Sequence, residues 1–355
     1  MTTDWLAPIL ELEDPIGVLS VYVDADPALA AGTPPAWQTP IRTELRELLG
    51  TARAEWPRDH RMTFEARLEE LEPELTSVLE RRDLSRGRAL FAAIERDEVH
   101  PVDVHAVLPS LVTVGPRALV LPLVAARQAG RPAGVAELSW TQVVLSEWEF
   151  GIVRELETIE LGVDLAGEPG RPTTNPSVPQ SFPERDRFET GVGSRVLTRI
   201  REVGVQVARE AKARGWDVVV VDSGVPRFIE TLGDGVGPNG ASVLRTADPL
   251  ADVSRAEAAD RVGAALRDRR KADQNRLVQQ LDASTAATRD AAVVERALAE
   301  GRVEHLLLEA PGEPRSLAAG EALLRQALRT GAEVTVVEAA SAQVGPDGVA
   351  ALLRW

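Results

Sequence analysis

The sequence predicts an α/β protein of three consecutive α/β domains, near 1–136, 137–285 and 286–355. Three observations carry that expectation. Short β-branched runs alternate with amphipathic helical stretches along the whole chain, the pattern of layered α/β domains. The 193–232 stretch holds the clearest unit: Val196, Ile200, Val203, Val207 and Ala211 recur at helical spacing, Gly215 stands at a helix C-cap, and Val218–Val221 is too apolar for an edge strand. Residues 128–134, Gln-Ala-Gly-Arg-Pro-Ala-Gly, have linker composition.

Taken in order, Val18–Val23 is a strand ended by Asp24-Ala-Asp26-Pro, and a Gly/Pro/Ala-rich loop runs on to Pro40. Helices are expected over 41–56 and 63–81, then strands at Arg88–Ile94 and Val102–Leu108. Residues 112–123 are read as part strand and part turn because Gly115-Pro116 and Pro122 interrupt them. Thr141–Leu145 and Phe150–Leu156 form a hairpin, with a third short strand near Thr158–Val163. Five prolines between Ala166 and Gly193 mark a long irregular loop, a length that in compact domains is functional or disordered. Helix 194–214, strand 217–222, a helix opening at Arg227 and a strand at Ala241–Arg245 follow. Ser254-Arg-Ala-Glu257 has the form of a capping box and opens a helix toward Asp282. A helix at 286–300, strand Val303–Leu308, helix Leu317–Thr330 and strand Glu333–Val337 complete the chain before its closing Gly348–Trp355 string.

Composition narrows the function. Hydrophobic content of 44% and charged content of 27% are ordinary for a globular protein. No apolar run reaches membrane-span length, and the start has neither the basic nor the apolar region of a signal peptide, so a cytoplasmic protein without a membrane partner is expected. The absence of cysteine excludes disulfides, thiolate catalysis and cysteine–zinc sites. A formal charge of −15 on its face argues against a nucleic-acid partner, and no DNA partner is expected. Two windows run against the bulk: residues 171–214 hold nine basic against five acidic side chains, and 261–276 hold six against two. These basic residues are nearly all arginine, which also fits an Arg-rich proteome and a solvated helix face.

Catalytic readings compete with plainer ones. Asp24-x-Asp26 after a strand could hold a divalent cation, and a metal-dependent hydrolase or nuclease using Asp24, Asp26 or Asp222 is the alternative, but an Asp-Pro turn is the preferred reading. Gly235-x-Gly237-x-x-Gly240 formally matches a dinucleotide fingerprint, yet it follows a helix and precedes a strand, the wrong order for a pyrophosphate cradle. Ser223 lacks the Gly-x-Ser-x-Gly context of a nucleophile elbow. His60, His100, His105 and His305 are read as structural. Trp140, Trp148 and Phe150 could stack on bases, although aromatics in a hairpin are more often core. No catalytic set is complete, and no enzyme, metal or cofactor is expected.

Two strings in the closing segment, Gly301-Arg-Val-Glu-His-Leu-Leu-Leu308 and Gly348-Val-Ala-Ala-Leu-Leu-Arg-Trp355, resemble the third domain of the archaeal and eukaryotic class-1 release factor and Pelota family. That resemblance implies an α/β/α sandwich of the L7Ae-like kind for the last domain. Helix 194–214 with Val218–Gly224 is similar to the family's central domain, and Val18–Asp24 with Gly87–Ala92 to the first domain of its bacterial, Balon-like branch. The match runs through nearly the whole chain in order. It implies a non-catalytic translation factor in ribosome hibernation or rescue that binds ribosomal RNA at the A site, with elongation factor Tu as a candidate partner. The family's Gly-Gly-Gln loop should fall in 166–193, but the sequence contains no Gly-Gly-Gln, and Gln180 stands in Pro-Gln-Ser without the glycines that let backbone approach the ester. Peptide release is therefore not expected. The candidate RNA-binding residues are Arg171, Gln180, Arg185, Arg187, Arg195 and Arg199, since guanidinium groups bind phosphate bidentately and stack on bases.

Overall fold

The computed structural model describes residues 6–25, 35–80, 87–104, 106–162, 192–238, 240–310, 314–337 and 344–354. The chain divides into two compact units, Met1–Gly130 with Arg270–Trp355, and Arg131–Arg269.

The first unit holds two sheets. Strands β1 (Glu13–Asp24), β2 (Gly87–Ala93), β3 (Val99–Val104) and β4 (Leu111–Arg117) form an antiparallel sheet in the order β3-β2-β1-β4. Helices α2 (Gln38–Glu55), α3 (Arg58–Glu70) and α4 (Glu72–Leu79) follow β1. Ile41, Leu71, Leu75 and Leu79 from these helices pack on Leu19, Val21 and Leu90. The expected single helix over 63–81 is divided at Leu71, because Pro73 can occupy only the first turn of a helix and so starts α4 anew. Short α1 (Ala7–Glu11) and α5 (Leu121–Ala129) lie against the opposite face. Helix α5 replaces the turn and linker that the sequence predicts here: Pro122 sits in its first turn, where the missing N–H costs nothing.

The second sheet of this unit is β10 (Ala287–Thr288), β11 (Val303–Glu309), β12 (Glu333–Val337) and β13 (Val349–Leu353), ordered β10-β13-β11-β12. Strand β11 serves two layers by alternation. Leu306 and Leu308 face helices α9 (Ala291–Ala299) and α10 (Pro314–Thr330), while Leu307 faces Leu277 and Leu281 near the end of α8 (Arg255–Ala283). The result is the α/β/α sandwich expected here. The helix expected over 286–300 starts only at Ala291, where Asp290 caps it by accepting the Ala292 and Val293 N–H groups.

The two sheets of this unit share one core. Tyr22 and Phe91 of the first sheet belong to the same buried cluster as Val294, Leu306, Leu324 and Val349. Glu321 of α10, nearly buried, accepts the Val120 and Leu121 N–H groups at 2.9 and 2.8 Å, capping α5 across the junction. Arg325 donates to Glu321 at 2.7 Å and to the Leu10 and Ala118 carbonyls. Burial pushes the Glu321 carboxyl up, and Arg325 with the two N–H groups pulls it back. Gln128 closes the edge of β12 with its side-chain amide, donating to Val334 O at 2.7 Å and accepting from Val336 N at 2.8 Å. The first and last of the three α/β domains therefore share one core.

The second unit is a five-stranded sheet ordered β7-β6-β5-β8-β9, with β5 (Ala133–Leu138), β8 (Val218–Asp222) and β9 (Ser242–Arg245) mutually parallel. Strand β5 takes only Ala133 and Gly134 at the end of the expected linker, and the second unit starts at Arg131. Strands β6 (Gln142–Glu149) and β7 (Ile152–Glu160) make one hairpin, and β7 runs through the position of the expected third strand. Phe150 (φ 49°) and Gly151 (φ 82°) turn it with two left-handed residues, the requirement of a two-residue hairpin turn. Helices α6 (Val192–Arg214) and α7 (Pro226–Val236) cover one face and α8 the other. At the end of α6, Gly215 (φ 71°) lets Trp216 N–H reach back to Ala211 O at 2.8 Å, a Schellman closure that delivers the chain into β8.

Candidate nucleic-acid interface

Helix α6 divides its charges from its core by spacing alone. Val196, Ile200, Val203, Val207 and Ala211 are buried, while Arg195, Arg199, Arg201, Arg209 and Lys212 are exposed. Several of these cations are engaged. Arg199 pairs with Glu202 at 2.7 Å, Arg201 with Asp234 at 3.3 Å, and Arg214 with Glu210 at 2.9 Å. Glu210 and Glu147 together hold the Arg214 guanidinium more firmly protonated than usual. Among the described residues Arg195, Arg209 and Lys212 have no ion pair. Surface pairs of this kind are worth about 0–1 kcal/mol, so Arg199 and Arg201 exchange a carboxylate for a phosphate at little cost.

Of the six expected RNA-binding residues, the structure places Arg195 and Arg199 together, one turn apart at the start of α6. Arg171, Gln180, Arg185 and Arg187 lie outside the described residues. The second basic window, on α8, is largely committed to its own unit: Arg261 pairs with Glu257 at 2.6 Å, and Arg269 donates to Ser242 Oγ at 3.4 Å. In the other unit Arg270 donates to Gln128 O at 3.3 Å. Arg267 and Lys271 remain exposed without an ion pair among the described residues.

Among the described residues, Asp222 and Ser223 have structural roles. Both carboxylate oxygens of Asp222 are occupied, one accepting from Thr246 Oγ1 at 3.3 Å and the other from Leu250 N–H at 2.8 Å, which pins the turn after β9. Asp24 ends β1 in the other unit, and Asp26 lies outside the described residues. No group of three or more His, Asp or Glu suited to a metal occurs among the described residues. Ser223 donates to Leu138 O at 3.1 Å and accepts Val225 N–H at 3.2 Å, an internal bracing of the β8–α7 turn. His100 meets Glu98 at 3.0 Å and His305 meets Thr335 at 2.8 Å, and burial lowers the His305 pKa. His60 is exposed, and His105 lies outside the described residues.

Trp148 is buried and donates Nε1–H to Ala259 O at 3.1 Å, and Trp140 meets Phe228 edge-on at 4.9 Å. Neither is offered to a base. Within the Gly235-x-Gly237-x-x-Gly240 string, Gly235 serves helix packing. A Cβ on Gly235 would lie 2.3 Å from Arg201 O, and one on Gly204 would lie 2.5 Å from Leu232 O, so α6 and α7 touch backbone to backbone here. Gly237 ends α7 at φ 78°.

No protein-family profile matches the chain, and no curated protein sequence does. Solved structures do resemble it. It is similar to the archaeal translation termination factor aRF1, at 16% identity over 99% of this chain and 96% of that one, with a TM-score of 0.27. It is similar to archaeal Pelota in a ribosome-bound assembly with ABCE1, at 16% identity over 76% and 77% of the two chains and a TM-score of 0.44. It is also similar to Saccharomyces cerevisiae Dom34, a translation termination-like factor of RNA quality control that interacts with Hbs1, at 10% identity over 73% of each chain and a TM-score of 0.41. Among the described residues no helix is long and apolar enough to cross a membrane.

Proposed function

We propose that this protein is a non-catalytic translation factor of the release-factor and Pelota kind. It binds ribosomal RNA at the A site in hibernation or rescue, in the manner of the Balon-like branch, and does not release peptide. The observation that carries this reading is α6. On a chain of net charge −15, its outer face presents Arg195, Arg199, Arg209 and Lys212 as a cationic stripe immediately after the segment where the family carries its Gly-Gly-Gln loop. The family strings, in order along the chain, supply the identity of the partner.

Three results are expected. In lysate resolved on sucrose gradients, the protein co-migrates with 70S particles, and free protein with divalent-dependent nuclease or phosphatase activity would remove the reading. Stop-codon-dependent release from peptidyl-tRNA stays at background in a purified termination assay, because no Gly-Gly-Gln is present to admit the reacting ester. Replacing Arg185 and Arg187 together with alanine lowers ribosome affinity and flattens its dependence on log salt by roughly one to two, the change for two lost phosphate contacts. An unchanged affinity and slope would show that those two arginines do not touch RNA.

A further inference from the structure

A groove of about 840 Å³ follows the outer edge of β4 in the first unit. One wall is α10, through Leu317, Ala318 and Ala322, and the opposite wall includes Glu44 of α2. Among the described residues β4 is an edge strand, paired on one side only, with β1. Which of its backbone groups face the groove follows from one bond. Val112 donates its N–H to Glu44 Oε2 at 2.7 Å, so it does not bond to its register partner Val21. By the alternation of an antiparallel ladder, Leu111, Thr113 and Gly115 then face β1, and Val112, Val114 and Pro116 face outward. The bond from Ile94 N–H to Gly17 O agrees, since it puts the same parity of β1 toward β2. Pro116, which has no N–H to offer, falls on an outward rung, the position in a sheet where proline is tolerated.

Backbone groups lining a groove between a strand edge and a helix select for another backbone. The rungs from Val112 to Pro116 span about 14 Å at roughly 3.4 Å per residue, the length of a five-residue extended segment. Charge restricts its side chains. Glu13 is already paired with Arg117 at 3.1 Å, and Asp14 accepts four backbone N–H groups. Glu44 has no cationic partner among the described residues, and Glu47 adds a second negative charge beside it. The geometry points to β-strand addition: an extended segment of a protein partner pairs with β4 through the Val114 N–H and the carbonyls of Val112, Val114 and Pro116, the Val112 N–H staying with Glu44, and places a lysine or arginine against Glu44.

The test uses the full chain and six synthetic hexapeptides, acetyl-Thr-Val-Arg-Val-Thr-Val-amide and its five variants with arginine moved through the other positions. At least one binds by fluorescence anisotropy below about 1 mM, the weak end of specific association, and slows hydrogen exchange at the Val114 amide. N-methylation of alternate amides in that peptide abolishes binding at one parity and leaves it intact at the other, because only one edge of an added strand faces β4. Glu44→Gln weakens the arginine peptide about two- to fivefold, the range of a partly exposed ion pair, and leaves its norvaline counterpart unchanged. Absence of binding by all six, or equal losses from N-methylation at both parities, would overturn the proposal. Exclusive binding of a small apolar solute in the groove, with no effect on the Val114 amide, would do the same.

Discussion

Glu321→Leu is expected to destabilise the first unit by about 3–5 kcal/mol, the cost of breaking one side of a buried ion pair. The carboxylate does three jobs at once. It caps two N–H groups at the start of α5, holds Arg325, and through Arg325 fixes the Leu10 and Ala118 carbonyls. Its removal strands a guanidinium whose side chain is 8% exposed, together with two donors. Arg325→Met should cost a similar amount, by leaving Glu321 with only its two N–H groups. The double substitution should cost clearly less than the sum, since neither variant then leaves a lone buried charge. Denaturant midpoints measure all three, and hydrogen exchange at Val120 and Leu121 reports whether the cap has opened. Strictly additive losses, or single losses below about 1 kcal/mol, would mean that the pair is bystander to the packing around it.

Gly235→Ala is expected to lower the stability of the second unit by about 1–3 kcal/mol, against the roughly 1 kcal/mol that alanine normally gains over glycine in a helix. The sign is decided by what the new methyl meets. Its nearest neighbours are Arg201 O at 2.3 Å and Gly204 Cα at 2.9 Å, both backbone, and two packed helices yield only by moving apart. Gly204→Ala meets Leu232 O and Gly235 Cα in the same way. Once either substitution has separated α6 from α7, the second has less left to displace, so the double variant should cost less than the two singles together. Thermal melts would show a fall of a few degrees. A rise in melting temperature for Gly235→Ala would mean that the helices relax freely at this crossing.

Gly235 also shows where a one-dimensional pattern stops being informative. Spacing identifies three glycines, but only the neighbour across the crossing, Gly204, says why Gly235 is one of them. Signals that act within one element were legible: the α6 stripe, the Gly215 closure, the Ser254 cap, confirmed by Glu257 N–H at 3.2 Å from its Oγ, and the buried run of β8. Those set by distant partners were not. Helix α5 looks like a proline-broken turn until Glu321, some 200 residues later, supplies its cap. Strand β5 looks like a linker because Gly134, at a position where a Cβ would lie 2.6 Å from the Trp216 ring, carries no side chain to announce burial. At the candidate interface, charge was legible and engagement was not. Composition cannot distinguish Arg201, tied to Asp234, from Arg209, which is free of ion pairs among the described residues.

The shared core of the two outer layers sets a timetable for biosynthesis. Tyr22, Phe91 and Leu121 leave the ribosome well before Val294, Leu306 and Leu324, the residues that cover them, because the whole of Arg131–Arg269 is translated in between. At about 5–20 residues per second those 140 or so residues take roughly 7–28 s, during which one face of the nascent first sheet has only α1 and α5 to cover it. The inserted unit can close on its own in that interval, whereas the first sheet must wait for its complement. A holding chaperone would therefore find its binding site on the nascent chain in Val18–Phe91, and the order of domain completion would run middle first, ends last.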